Sequence, residues 1–184
     1  MSRAEDYQES AGFADRDRAH TLGDPGDMSF SSWLQSLFKP LVPVGPPETI
    51  RVFTTADPTI TGDGIAIEED GWIIDAQQSR TVRLFEVPTP GAEQCLITYR
   101  AKMKSHALTG RAFLEMWCRF GWRGEFFSKG FQQSVQGTTR WANYEIPFYL
   151  KKGQRPDLIK LNLVVEGGGK IWIKEIELLK TPLG

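Results

Sequence analysis

Four stretches of this chain alternate apolar and polar residues one by one, a rhythm that fits a strand with one buried face and one wet face. In 95–105, Ile97, Tyr99, Ala101 and Met103 alternate with Thr98, Arg100, Lys102 and Lys104. In 111–120, Leu114, Met116, Cys118 and Phe120 alternate with Glu115, Trp117 and Arg119. In 141–150, Tyr144, Ile146, Phe148 and Leu150 alternate with Asn143, Glu145 and Tyr149; in 157–166, Ile159, Leu161, Leu163 and Val165 alternate with Lys160, Asn162 and Glu166. Each first set is predicted to be core and each second set an outer face. Alternation this clean is what two antiparallel sheets packed through their apolar faces require.

The same reading extends to the neighbouring segments. Strand-like runs are predicted at 49–54, 64–67, 71–76, 80–87, 95–105, 111–120, 124–135, 141–150, 157–166 and 170–180. Turn-forming residues separate them: Thr-Gly-Asp-Gly at 61–64, Glu-Asp-Gly at 69–71, Pro-Thr-Pro-Gly at 88–91, Gly-Trp-Arg-Gly at 121–124 and Gly-Gly-Gly at 167–169. Long helical periodicity and internal repeats are absent here. Many short strands at this spacing predict an all-β sandwich or barrel over 49–181.

The N-terminal part reads differently. Residues 1–27 carry three arginines against seven carboxylates and almost no aliphatic side chains. Such a segment cannot bury enough surface to offset its ordering entropy and is predicted to be a disordered acidic tail. In 28–39, Phe30, Trp33, Leu34, Leu37 and Phe38 fall at helical spacing and predict a short amphipathic helix. That helix either packs on the β domain or docks a partner. Residues 40–48 form a proline-rich linker, and Met28 offers an alternative start. The N-terminus has no apolar core of a secretory signal, and no apolar run is long enough to span a membrane. With only Cys95 and Cys118, the simplest expectation is a cytoplasmic protein with two free thiols; a single Cys95–Cys118 bridge is the other reading.

The segment 141–180 carries a Trp, an amphipathic strand with a Pro, a Gly/Pro turn, an apolar strand and a Gly-rich turn. It ends on Trp172-Ile173-Lys174-Glu175-Ile176-Glu177-Leu178. This order resembles the C-terminal half of galactose-binding-like jelly rolls of the carbohydrate-binding-module type. The strands around 99–105 and 114–120 are compatible with it. The resemblance implies a jelly-roll sandwich that binds a ligand without catalysis. Two departures stand out. Lys174 precedes the acid of the last strand, where many such modules place Asp or Asn directly. The dispersed Asp57, Asp63, Asp70 and Asp75 form no acid-dense loop for the structural calcium that relatives often hold, so no cofactor or metal is expected.

Enzymatic signatures are scarce. His20 lies in the acidic tail and His106 at a loop edge, and no Gly-x-Ser-x-Gly elbow is present. Residues 166–170 lack phosphate-loop spacing and read as a hairpin turn before the last strand. Glu115 and Glu145 share the outward parity with Arg100, Lys102, Arg119 and Lys160, so salt-bridge ladders explain them better than a catalytic pair. The net charge of −1 gives no bulk attraction to nucleic acid or to an anionic membrane.

The strongest functional candidate is the cluster Trp117, Arg119, Trp122, Arg123, Glu125, Phe126 and Phe127. Flat aromatic faces suit the apolar side of a sugar ring, and charged or amide groups suit its hydroxyls. The expected ligand-binding set is Trp117, Arg119, Glu115, Trp122 and Arg100, joined by Asn143, Tyr149 and Asn162 if their strands are neighbours. The expected partner is a carbohydrate. The alternative is a protein partner, with the chain serving as an intracellular assembly subunit through the 28–39 helix and this same face, since Trp, Tyr and Arg are also enriched in protein interfaces. A glycoside-processing enzyme comes third.

Overall fold

A computed structural model describes residues 42–184. The expectations for 1–27 and 28–39, including Met28 and the docking residues Phe30, Trp33, Leu34, Leu37 and Phe38, lie outside the described residues. The described strands belong to one unit, Leu41–Gly184. In chain order they are β1 (Glu48–Phe53), β2 (Ile65–Glu68), β3 (Gly71–Ala76), β4 (Arg80–Pro88), β5 (Cys95–His106), β6 (Leu108–Arg119), β7 (Glu125–Lys129), β8 (Val135–Gly137), β9 (Ala142–Tyr149), β10 (Leu158–Glu166) and β11 (Gly169–Pro182). Single 3-10 turns at Gly121–Arg123 and Phe131–Gln133 flank β7.

The strands form two antiparallel sheets. The first runs β2-β3-β11-β5-β9, with β1 beside the C-terminal half of β11. The second runs β4-β10-β6-β7, with β8 beside the start of β6. From β3 to β6 the chain changes sheet at every step, and it does so again from β8 through β11. Left-handed residues make these crossings tight. Ala107, at φ 50°, is the only residue between β5 and β6.

The alternation predicted for β5, β6, β9 and β10 places their apolar sides in one core. Ile97, Tyr99, Ala101 and Met103 from the first sheet meet Leu114, Met116, Cys118, Ile159, Leu161 and Leu163 from the second. Cys95 and Cys118 are buried free thiols. Burial pushes the Cys118 thiol up to about 12.

Tyr99 is fully buried, and its hydroxyl has no hydrogen-bond partner. Desolvation alone pushes its phenol far above the ordinary value. An orphan buried hydroxyl costs free energy that Phe would not. Tyr99→Phe is therefore expected to raise stability by about 1 kcal/mol in urea unfolding. A loss of stability would mean that the hydroxyl has a native partner.

Three local expectations need correction. The run 124–135 is not one strand: β7 pairs with Glu115–Arg119 and β8 with Leu108–Ala112, and the 3-10 turn lies between them. The break falls at Gly130, whose amide bonds the Leu114 carbonyl and whose Cβ position lies 2.9 Å from Ile146. Residues 166–170 do not close a hairpin, because β10 and β11 lie in different sheets and the glycines carry the chain across. The last strand is not regular: register with β5 slips between Lys174 and Glu177, and Glu175 is left-handed at φ 50°. Strict alternation after Ile171 and Ile173 would drive Glu175 into the core. The bulge turns it outward and puts Ile176 there instead.

Candidate functional site

The predicted ligand-binding residues fall on two opposite outer faces. Trp117, Arg119, Glu115 and Asn162 lie on the second sheet, where Asn162 opposes Glu115 and Lys160 opposes Trp117. Arg100, Asn143 and Tyr149 lie on the first, where Arg100 opposes Glu145, Lys102 opposes Asn143 and Leu96 opposes Tyr149. Only Asn162 has a strand next to β6, so Asn143 and Tyr149 do not join Trp117. Glu115 and Glu145 are likewise in different sheets and form no pair across a ladder. Trp122 sits past the end of β6 in a 3-10 turn and is 91% exposed.

The face around Trp117 is largely consumed by packing. Its indole tilts against Phe127 with ring centroids 5.0 Å apart. Arg119 bonds Asp157 at 2.9 Å and Lys160 bonds Glu125 at 2.6 Å. Glu115 and Asn162, expected on an open surface, are only 5% and 6% exposed. The Asn162 amide donates to Glu115 Oε1 at 3.0 Å, and Lys129 Nζ stands 3.0 Å from Glu115 Oε2. Burial works to raise the Glu115 pKa. Hydrogen bonds from Trp117, Asn162 and Lys129, with the Lys129 charge, outweigh it and hold the carboxyl below its ordinary value. This is an internal polar network, complete except for Asn162 Oδ1, which has no partner.

The first sheet carries an open groove of about 420 Å³ lined by Arg100, Lys102, Asn143, Glu145, Glu175 and Glu177. The β11 bulge forms one wall and β9 the other. Arg100 Nε donates to Glu177 Oε2 at 2.5 Å, and Lys102 Nζ to Glu175 Oε1 at 2.8 Å. These pairs fix the direction of the polar groups across the groove. On the same face, Lys104 Nζ lies 4.9 Å from the Trp141 ring centroid and 4.8 Å from that of Trp172. Lys174 also approaches Trp141, at 4.9 Å, and bonds Asp70. Tyr149, 54% exposed, stands farther along β9.

Residue alternation finds Arg100 and Asn143 but misses Glu175 and Glu177 as their neighbours. Their placement depends on the bulge and on pairing across 73 and 77 residues of chain. Among the described residues, no three His, Cys, Asp or Glu side chains gather as a metal site. Asp57 bonds Arg51 and Thr54, Asp63 bonds Arg80, Asp70 bonds Lys174 and Asp75 accepts from Gln77.

Several solved structures similar to this one are carbohydrate-binding modules. A xylan-binding CBM22-1 domain from Paenibacillus barcinonensis aligns at 11% identity over 78% of this chain and 87% of that one, with a TM-score of 0.42. A CBM4 module aligns at 9% identity over 71% and 78%, with a TM-score of 0.45. A family 29 carbohydrate-binding module complexed with mannohexaose aligns at 14% identity over 72% and 94%, with a TM-score of 0.43. No protein-family model and no curated protein matches the sequence. None of these likenesses identifies a ligand for this chain. Among the described residues no helix is long and apolar enough to cross a membrane.

Proposed function

We propose that this sandwich is a jelly-roll binding module that holds a carbohydrate or similar polyhydroxylated ligand in the groove of the first sheet, without catalysis. The observation that carries this reading is the groove itself. It offers Arg100, Lys102, Asn143, Glu145, Glu175 and Glu177 on one open face. Sugar hydroxyls are both donors and acceptors, and this set supplies both kinds of partner. The preset ion pairs reduce the ordering cost of binding. Tyr149 adds an exposed aromatic face for a ring farther along. The jelly-roll class is supported by strands that alternate between sheets.

Binding rather than catalysis is the better fit because Glu175 and Glu177 are engaged by cations and no Ser, Cys or His lines the groove. A cytoplasmic setting belongs to the same reading and is supported by the two unlinked thiols.

A glycan-array screen followed by calorimetry tests the site. Arg100→Ala and Asn143→Ala are each expected to weaken the best glycan about tenfold or more, the cost of an unpaired hydroxyl. Trp117→Ala, on the opposite face, is expected to leave affinity unchanged. Loss of binding in Trp117→Ala alone would move the site to the second sheet, and no binding to any glycan would defeat the carbohydrate reading.

A further inference from the structure

One end of the sandwich gathers exposed aromatic and basic side chains that the groove does not use. Phe120 follows β6 and packs against Phe126 and Phe148, with ring centroids 5.8 and 6.4 Å apart. The Phe148 contact sets the turn 121–124 at the same end of the sandwich as the close of β9, and the turn 151–154 that follows β9 bonds Glu93 through the Gly153 amide. The Asp157 amide bonds the Arg119 carbonyl at 2.9 Å, so the segment leading into β10 meets the end of β6 here. Trp122 in the first turn is 91% exposed, and Phe126 in the strand that follows it is 53% exposed.

Both turns are largely exposed. Gly121, Gly124 and Gly153 have φ of +49°, +91° and +81°, and nothing stands within 4 Å of where a Cβ would be. The charges there are unevenly matched. Arg119, Arg155 and Lys160 each pair with a carboxylate: Asp157, Glu93 and Glu125. Among the described residues, two further acids near this end, Glu86 and Glu48, pair with Arg83 and Lys180. Arg123, Lys151 and Lys152 are exposed and make no salt bridge among the described residues. Arg123 instead lies over the Trp122 ring at 5.4 Å.

We propose that this end docks on the surface of an anionic lipid bilayer. Trp122 and Phe126 would enter the interface, while Arg123, Lys151 and Lys152 meet the acidic headgroups. Trp and Tyr favour the depth of the headgroups, where one side is apolar and the other wet. Cations that make no salt bridge among the described residues match a negatively charged surface. A protein interface would bury these same cations, which costs desolvation unless acids on the partner meet each one. A bilayer leaves them at the wet surface. The proposal is independent of the carbohydrate groove, which lies on the outer face of the first sheet.

The test is co-sedimentation of the full chain with phosphatidylcholine vesicles, with and without phosphatidylserine. Binding is expected only with phosphatidylserine, and it should weaken as salt rises. Trp122→Ala is expected to reduce it roughly tenfold, from the lost apolar contact. The double change Lys151→Gln, Lys152→Gln is expected to reduce it about thirtyfold, from about 1 kcal/mol per basic residue. Trp122 is nearly free of contacts, so its variant should keep the wild-type melting curve, which checks that the fold is intact. Absence of binding to acidic vesicles, or binding unchanged in Trp122→Ala, overturns the proposal. So does a self-associating chain that Trp122→Ala makes monomeric, since the tip would then be a protein interface.

Discussion

Gly110→Ala is expected to destabilise the protein by about 3 kcal/mol or more in urea unfolding, the upper end of what overpacking costs. Gly110 lies near the start of β6, where that strand crosses the turn joining β10 to β11. A Cβ on it would stand 1.9 Å from the Glu166 carbonyl oxygen and 3.4 Å from the Gly167 amide nitrogen. Both atoms are backbone, so no side-chain rotation relieves the clash. Relief requires moving the strand or the turn, and both are pinned: the Thr109 amide donates to the Gly168 carbonyl at 2.8 Å, and the Gly168 amide donates to Thr109 Oγ1 at 3.0 Å. Gly121→Ala provides the contrast. It meets no atom and only pays for a left-handed alanine, roughly 1 kcal/mol. If the two variants unfold at the same urea concentration, the close approach at Gly110 is not a feature of the folded protein.

The second large effect is expected at Glu115. Glu115→Gln should cost about 2 kcal/mol at neutral pH, because Lys129 loses its anion in a site shielded from water. The pH dependence follows from the direction of the shift. The folded pKa lies below the ordinary carboxylate value. The stabilisation from ionised Glu115 is therefore fully present above the unfolded pKa, near 4.3. It is lost as pH falls through the folded value, because the folded state must then take up a proton where ionisation was favoured. Urea midpoints of the wild type and Glu115→Gln should thus differ most near neutrality and converge in acid. A gap that stays constant down to strongly acidic pH would mean that the charge of Glu115 contributes nothing and that only its shape matters.

Glu115 also illustrates how far residue pattern reaches. Its outward parity is correct, yet the side chain is buried, because an outer face can be roofed. Lys129 from β7 bonds it from one side and Asn162 from β10 from the other. Phe113 shows the same effect: it stands on the outward parity of β6 but is only 1% exposed, and Phe131 packs on it at 4.6 Å. Alternation reports which side of a strand a residue takes. It does not report what folds over that side.

The sequence alone determined where most strands lie and which residues face the core, because a period of two in hydrophobicity is a local property of each strand. It also placed the turns, since glycine, proline and short polar residues mark them by their own backbone preferences. Only the tertiary structure decided which outer faces coincide. Parity is defined within a strand, whereas membership of a sheet depends on hydrogen bonds to strands far away in the chain. Arg100 and Trp117 therefore look alike in sequence and lie on opposite faces of the sandwich. The same holds for the bulge at Glu175. No residue type there announces it, and it forms because the core accepts Ile173 and Ile176 together while the two acids beside them find Lys102 and Arg100 across the groove.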